Sequence, residues 1–291
     1  MNLDIMTTNK IYKMKRENLP TLLAIAALSW IFVNISHETI GHAGFGLLSG
    51  LKLNAVNTTT AFLDVNWDNE INLNGFTKYR LFLIGGVFMN FLTGLIAYLI
   101  LKYKSGLNTQ MRLFLWLFAS FSYVIIVMNL ISVPIIGGGD LVGIIRTYDN
   151  QELARTIVLI VGFVFMIVGY LALQKGYMPE IKKHRSVLLS IVGIPVVTVI
   201  VLQTLSLINS PFSYLSASQS HLLASVFAYF HFILWAIVVY IVPASNKKYS
   251  IEDLLPNKSV KWIVAGVVTS VFYIFILGSG LGSFDGHPSL Q

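Results

Sequence analysis

Seven long apolar segments are the feature of this chain that most limits its fold. They cover residues of about 19–49, 80–102, 111–134, 154–174, 186–209, 221–243 and 260–280. A helix needs roughly 20 mainly apolar residues to cross the hydrocarbon core of a bilayer. Only 11% of the residues are charged, whereas soluble domains average about 25%. We therefore predict an all-α polytopic membrane protein with about seven transmembrane helices embedded in a lipid bilayer.

Lysine and arginine residues are distributed unequally between alternate loops. Fifteen of the 20 basic residues lie in the N-terminal tail or in the turns after the second, fourth and sixth spans. The other side keeps Lys52, Lys78, Arg80, Arg146 and Arg155. Because cytoplasmic loops carry the excess of basic residues, the pattern predicts a cytoplasmic N-terminus and an external C-terminus. This orientation accounts for the net charge of +7, so no nucleic-acid partner is expected.

Segment 51–79, between the first two spans, lacks the apolar content of a membrane helix. It mixes Thr58, Phe62, Trp67 and similar strand-forming residues with several Asn and Asp residues. This composition predicts a small β-hairpin-like insertion after the first span. Residues 52–66 would then offer a strand edge to an extended peptide. A plain surface hairpin is an equally favoured alternative.

The first span carries ionisable side chains inside an apolar stretch. Segment 31–50 has the sequence IFVNISHETIGHAGFGLLSG, in which Glu38 directly follows His37 and precedes His42. Ionisable groups at membrane depth are costly, so three together need a compensating partner, and a divalent cation is the simplest one. The chain has no cysteine, so His, Asp, Glu or Asn would have to bind this ion. The alternative is that the three residues are polar contacts between packed helices.

The spacing of the two histidines differs from that of the usual zinc-binding helix. In H-E-x-x-H, the histidines are four residues apart and share one face of the helix. His37 and His42 are five residues apart, which on a regular α-helix separates them by about 140°. A π-type turn would absorb the extra residue, and Gly41 would ease the distortion. We therefore predict a π-bulge between His37 and His42.

Two further segments carry glycine and polar residues at the ends of spans. Residues 85–90, GGVFMN, lie early in the second span, and residues 129–140, NLISVPIIGGGD, lie at the end of the third. The first span runs outward and has its histidines in its far half. The second span begins on that side of the membrane and the third ends there. Topology therefore places all three motifs in the same half of the membrane.

Together the motifs resemble the site-2 protease family of intramembrane zinc metalloproteases. That family combines a membrane-embedded H-E-x-x-H helix, a Gly-Gly-type motif ending in Asn, and an Asn…Pro…Asp-Gly motif on a third helix. The matching positions are His37, Glu38 and His42; Gly85, Gly86 and Asn90; and Asn129, Pro134 and Asp140. The chain departs from the family in its longer histidine spacing, which is similar to that of dipeptidyl peptidase III, and in Leu141, which replaces the family's Gly.

The resemblance implies a zinc-dependent intramembrane endopeptidase that acts on a membrane-protein substrate. The Zn²⁺ ligands would be His37, His42 and Asp140. Glu38 would be the general base, and Asn90 or Asn129 would donate a hydrogen bond to the tetrahedral oxyanion. An interhelical hydrogen bond is the alternative role for either Asn, and a solvated loop acid is the alternative for Asp140. For the whole chain, the alternative is a metal-binding membrane protein without peptidase activity, either a transporter or a pseudoprotease scaffold.

The chain is predicted to have three parts. A cytoplasmic tail, 1–18, precedes a catalytic core, 19–143, which contains three spans and the strand-like insertion. An additional four-span region, 144–291, carries no motif that points to a function. His221 and His231 lie on its third helix, where hydrogen-bonded packing is favoured over a second metal site.

Overall fold

A computed structural model of the chain describes residues 15–56, 58, 61–64, 73–137, 140–177, 185–209, 219–241 and 255–282. Most of these residues are helical. Residues 1–14 of the predicted tail and 65–72 of the predicted insertion lie outside the described residues.

Helices of three kinds and short strands are the regular elements of the described part of the chain. The α-helices are α1 (Leu19–Asn34), α2 (Gly44–Leu48), α3 (Leu73–Tyr103), α4 (Thr109–Val127), α5 (Val133–Ile136), α6 (Asp140–Ile145), α7 (Gln151–Tyr177), α8 (Arg185–Ile208), α9 (Gln219–Ile241) and α10 (Val260–Phe272). A 3₁₀ turn, Arg16–Asn18, precedes α1. The π-helical segments are Ile35–Ala43, Met128–Ser132 and Tyr273–Leu277. The strands are β1 (Lys52–Val56), β2 (Ala61–Asp64) and β3 (Leu281–Gly282).

Six helical stretches among the described residues are long and apolar enough to cross a membrane. They are Arg16–Leu48, Lys78–Tyr103, Thr109–Ile136, Gln151–Leu173, Val187–Ile208 and Val260–Leu277. The remaining predicted span, 221–243, coincides with α9, whose part Tyr229–Ile241 is a shorter apolar helix. The protein is therefore a multi-pass membrane protein.

The first span lies at the centre of the helix bundle. Its α-helical part, α1, packs against α4, α8 and α10, and the π-helical segment that continues it packs against α3. Trp30 is 4% exposed and meets Phe121 of α4 and Phe232 of α9 edge-on, with ring centroids 6.4 and 5.4 Å apart. A β-carbon on Gly266 of α10 would lie 2.6 Å from the Cβ of Ala24. The four-span region thus packs directly on the helix that leads to the histidines.

A short antiparallel sheet follows the first span. β1 pairs with β2, with Val56 opposite Ala61, and the register shifts between Leu53 and Ala55. The other edge of β1 pairs with β3, where Val56 lies opposite Leu281. The strand order is therefore β2-β1-β3, which leaves β1 in the centre of the sheet.

Thr58, which lies between β1 and β2 in the sequence, is buried inside the bundle. The residue is 1% exposed, and its carbonyl accepts a hydrogen bond from Asn34 Nδ2 at 2.9 Å. Its hydroxyl lies 2.5 Å from that of Ser206 on α8. Thr58 is therefore held between the first span and the four-span region.

Candidate metal centre

The two histidines of the first span lie on its π-helical segment, Ile35–Ala43. In a π-helix each N–H bonds to the carbonyl five residues back, which brings residues five apart close together on one side. The Nε2 atoms of His37 and His42 are accordingly 3.3 Å apart, and the two rings are nearly perpendicular. The predicted π-bulge is confirmed, and it covers the whole interval between the histidines.

Asp140 brings a third potential ligand atom to the histidine pair. It begins α6, and its Oδ2 lies 3.2 Å from Nε2 of His37 and 3.2 Å from Nε2 of His42. The three atoms form a nearly equilateral triangle. A tetrahedral zinc site with bonds of about 2.0–2.1 Å separates its ligand atoms by about 3.3–3.4 Å. The triangle therefore has the size that a zinc ion requires.

Charges at the centre also suit a divalent cation. Burial raises the pKa of the Asp140 carboxyl group, but His42 and His37 in their protonated, positively charged form lower it by more, so the net direction is below its ordinary value. A cation bound to neutral imidazoles would supply positive charge at the same place. Glu38 is 8% exposed and close enough to both imidazoles and to Asp140 to interact with them electrostatically. When both carboxyl groups are ionised, their two negative charges balance those of a divalent cation, which lowers the cost of placing the centre in a membrane.

A backbone carbonyl orients His42. Nδ1 of this histidine donates a hydrogen bond to the carbonyl of Phe82 on α3 at 2.8 Å. A carbonyl only accepts hydrogen bonds, so the proton of the neutral ring lies on Nδ1 and Nε2 is free to bind a metal. Sequence reasoning missed this contact, because a backbone group carries no residue signature.

Asn90 of α3 contacts the other histidine. Its Nδ2 lies 3.1 Å from Nδ1 of His37, and its Oδ1 is buried with no hydrogen-bond partner among the described residues. When Nε2 of His37 binds a metal ion, Nδ1 carries the proton and needs an acceptor. Rotation of the carboxamide by about 180° supplies this acceptor, because Oδ1 and Nδ2 then exchange places. The orphaned oxygen therefore fits a histidine whose Nε2 binds a metal.

Glycines bring α3 into backbone contact with the π-helical segment. A β-carbon on Gly41 would lie 2.6 Å from the Cα of Gly86, and one on Gly85 would lie 2.5 Å from the carbonyl oxygen of Gly41. Small residues permit such close approach of membrane helices. A β-carbon on Gly86 would also lie 2.5 Å from Nε2 of His42 and 2.8 Å from Nε2 of His37. Gly86 therefore keeps open the space beside both nitrogen atoms.

The motif at residues 129–140 contributes Asp140 to the centre, but its Asn129 does not contact the histidines. Asn129 is 3% exposed, lies in the π-helical segment Met128–Ser132 and donates from Nδ2 to the carbonyl of Ile125 at 3.1 Å. Hydrogen bonds among the described residues thus connect Asn90, but not Asn129, with the histidine pair. Pro134 is buried in α5, which leads towards Asp140. Residues 138 and 139 of the glycine run lie outside the described residues.

His231 is the histidine of α9 whose side chain the structure describes, and it makes a contact between helices. Nε2 of His231 lies 2.6 Å from Oγ of Ser132, which confirms the predicted hydrogen bond between spans. His221 lies in the part of α9 whose side chains are outside the description.

The centre combines three metal-binding atoms with a neighbouring carboxylate. Within the described ranges, His37, His42 and Asp140 are the one group of three His, Asp or Glu residues placed to share an ion. Two nitrogen atoms and one oxygen atom are a typical donor set for zinc. No protein-family model, curated protein or solved structure matches this chain.

Proposed function

We propose that this protein is a zinc-dependent intramembrane endopeptidase that cleaves membrane-protein substrates. The observation that carries the proposal is the triangle of two Nε2 atoms and one Oδ2 atom, with sides of 3.2–3.3 Å, on a π-helical segment inside a candidate membrane span. Catalytic zinc has three protein ligands and an open fourth position, whereas structural zinc usually has four protein ligands. The likeness of the three motifs to those of site-2 proteases supports peptide-bond hydrolysis as the reaction.

Glu38 is the residue placed to move protons. When bound, zinc supplies a Lewis acid that makes water nucleophilic near neutral pH. Glu38, buried beside the residues that would hold the ion, would accept a proton from the water molecule that attacks the peptide carbonyl carbon. The same carboxyl group then donates the proton to the leaving amine as the C–N bond breaks. One water molecule is consumed, and a carboxylate and an amine are the two new chain ends.

Asn90 orients the metal-binding face of His37. Its carboxamide contacts Nδ1, the ring nitrogen opposite to the one that would bind zinc. Partners of this kind fix the tautomer and the direction of a histidine ligand. Donation to the oxyanion by Asn90 or Asn129 stays a prediction.

The proposed orientation follows from the loop charges, with a cytoplasmic N-terminus and the metal centre in the outer half of the membrane. Substrates are membrane helices that unwind locally before cleavage. An unwound segment would find the free edge at β2, because both edges of β1 are already paired in the described sheet.

Substitution Glu38→Gln tests the mechanism. Purified variants in liposomes are incubated with solubilised membrane proteins of the expression host. New N-termini are then identified by amine labelling and mass spectrometry. We expect cleavage by the wild type and by the control Glu152→Gln, which changes an exposed acid at the start of α7. Glu38→Gln should keep its zinc and give no new N-termini. Equal cleavage by Glu38→Gln would exclude Glu38 as the base, and zinc binding without any cleavage by the wild type would favour a scaffold.

A further inference from the structure

A cluster of buried and half-buried polar side chains joins the first span to the four-span region close to Glu38. We call it the Tyr273 cluster, and its members are Trp30, Asn34, Thr58, Gln203, Ser206 and Tyr273. We propose that Tyr273 is a positioning residue for Glu38 and that its fixed hydroxyl group holds the carboxyl group in the direction that the reaction needs. The inference rests on the proposed function, in which Glu38 is the base.

Helical spacing directs Glu38 to the side of the first span that carries the cluster. Trp30, Asn34 and Glu38 follow one another at intervals of four residues. Side chains four residues apart on a helix lie on one face, one above the other. His37, one residue earlier, instead meets Asn90 of α3. Glu38 therefore has the histidine pair on one flank and the four-span region on the other.

Tyr273 of the four-span region is completely buried and has a fixed hydroxyl group. Its exposed fraction is 0%, and it lies close enough to Glu38 for the two groups to interact electrostatically. The hydroxyl donates a hydrogen bond to Oε1 of Gln203 on α8 at 2.7 Å, which sets the direction of its dipole. Dipoles act more strongly on a nearby charge in a protein interior than in water. Tyr273 therefore biases the orientation of Glu38 without touching it.

Glu38 has no other orienting group within the described part of the chain. Its interactions with His37, His42 and Asp140 are electrostatic and are not hydrogen bonds. A base that moves protons is normally oriented by a further group. The Tyr273 cluster places polar groups near Glu38 that are not themselves candidate metal ligands.

The backbone at Tyr273 is irregular in the way that functional sites often are. Tyr273 begins the π-helical segment Tyr273–Leu277, and π-helical turns are rare and frequent at functional sites. Nδ2 of Asn209 donates a hydrogen bond to the carbonyl of Ile274 inside this segment at 2.9 Å. A side chain at the end of α8 thus stabilises the turn that brings Tyr273 to its place. One π-helical segment carries Glu38, and another places a hydroxyl group near it.

An unpaired indole N–H points to further fixation of Tyr273. Trp30 is 4% exposed and lies beside Tyr273, and its Nε1 has no hydrogen-bond partner among the described residues. An indole nitrogen only donates, and an unpaired buried donor is costly. The hydroxyl oxygen of Tyr273 already donates to Gln203, so it accepts from Trp30 after a small movement. The two bonds together would fix the hydroxyl group from both sides.

Tyr170 provides the matched control for a role in packing alone. Its hydroxyl, on α7, donates to the carbonyl of Val238 on α9 at 3.0 Å. Tyr170→Phe and Tyr273→Phe each remove one hydrogen bond between membrane helices. Of the two tyrosines, Tyr273 is the one that interacts with Glu38. A difference between these variants at Glu38 therefore reports position and not the loss of a hydrogen bond.

Infrared difference spectroscopy of the full-length, metal-free protein in lipid nanodiscs tests the proposal. The carboxyl band of Glu38, one of six glutamates in the chain, is identified by its loss in Glu38→Gln. We expect Tyr273→Phe to shift this band and Tyr170→Phe to leave it unchanged. Gln203→Leu should also shift it, because the hydroxyl loses its acceptor, and the double variant with Tyr273→Phe should add little. An unshifted band in Tyr273→Phe would overturn the proposal, whatever its melting temperature.

Kinetics measures the consequence for the reaction. With a substrate found in the Glu38→Gln comparison, Tyr273→Phe should lower kcat about a hundredfold and leave KM unchanged, because a misdirected base slows the chemical step without weakening binding. The zinc affinity should also stay unchanged. An unchanged kcat in an active enzyme would overturn the positioning role. A shifted Glu38 band without any cleavage by the wild type would speak against the peptidase and not against the link between Tyr273 and Glu38.

Discussion

The two halves of the first span are held in the bundle by opposite means. α1 is a regular helix whose large apolar residues interlock with neighbours, as Trp30 does with Phe121 and Phe232. The π-helical segment Ile35–Ala43 instead presents polar side chains to α3, which meets it with the bare backbone of glycines. In the first half packing fills space, whereas in the second half it leaves space beside two imidazoles.

Because of this difference, we expect α1 to determine mainly stability and the π-helical segment to determine metal binding. Dispersion and close packing hold helices together in a membrane, so loss of a large side chain in α1 should lower stability. Loss of space or of a hydrogen bond around the π-helical segment should change metal affinity instead. Variants in each half therefore test whether the two properties are separable.

Gly86→Ala should have the largest effect on metal binding. The new β-carbon would lie 2.5 and 2.8 Å from the Nε2 atoms of His42 and His37, so the imidazoles must move. We expect zinc affinity to fall by more than about a thousandfold, equivalent to about 4 kcal/mol. Gly44→Ala is the matched control, because among the described residues its β-carbon meets no atom closer than Thr39 O at 3.8 Å. Equal zinc affinity of the two variants would show that Gly86 does not border the ion.

Trp30→Ala should lower stability without changing the metal centre. Truncation of a buried tryptophan costs about 3–5 kcal/mol in the free energy of unfolding. Denaturation in detergent measures this loss, and zinc titration of the folded fraction should give the wild-type affinity. Leu23→Ala, at a half-exposed position of the same helix, is the control and should cost much less. If Trp30→Ala also lost zinc affinity, the two halves of the first span would have to act as one cooperative unit.

Asn90→Ala should weaken zinc binding by about 10–100-fold, the usual effect of removing the partner of a histidine ligand. Asn90→Asp keeps an acceptor for Nδ1–H of His37 and should restore most of the affinity. Asn129→Ala is the control, since Asn129 bonds to the carbonyl of Ile125 in its own helix. Zinc affinity is measured by competition with a zinc chelator. An equal loss of affinity in Asn90→Ala and Asn129→Ala would contradict the proposal that Asn90 orients His37.

Thr58→Val should have the smallest effect of the four. It removes the hydroxyl contact with Ser206 but keeps the carbonyl that accepts from Asn34. We expect a loss of about 1 kcal/mol in the free energy of unfolding and an unchanged zinc affinity. Ser206→Ala should cost a similar amount, and the double variant should cost little more than either alone. Additive losses would mean that the two hydroxyl groups do not act as a pair.

Much of the metal centre was predictable from short sequence motifs and from the direction in which each span crosses the membrane. His37 and His42 are five residues apart, so one ion for both required a π-helical turn, and the structure contains one. Span direction alone placed Asp140 near the histidines, since the third span ends on the side where they lie. Asn90 was predictable as a neighbour of the centre for the same reason, because the second span starts there.

Other features depend on tertiary contacts that leave no local signal. The Phe82 carbonyl on His42 is a backbone group, and the anchoring of Thr58 between Asn34 and Ser206 joins residues far apart in sequence. The π-helical segments Met128–Ser132 and Tyr273–Leu277 were not predicted either, because no pair of candidate ligands marks them. The Tyr273 cluster arises from the packing of helices that are far apart in the sequence, which residue patterns do not specify.

The most direct test of the metal centre is X-ray absorption spectroscopy at the zinc edge, combined with metal analysis of the purified protein. We predict one zinc ion per chain, with two imidazole nitrogen ligands and oxygen ligands at about 2.0–2.1 Å. His37→Ala combined with His42→Ala should remove the ion. Zinc that remains at full stoichiometry in this double variant, or a wild-type spectrum without imidazole ligands, would contradict the assignment of the centre.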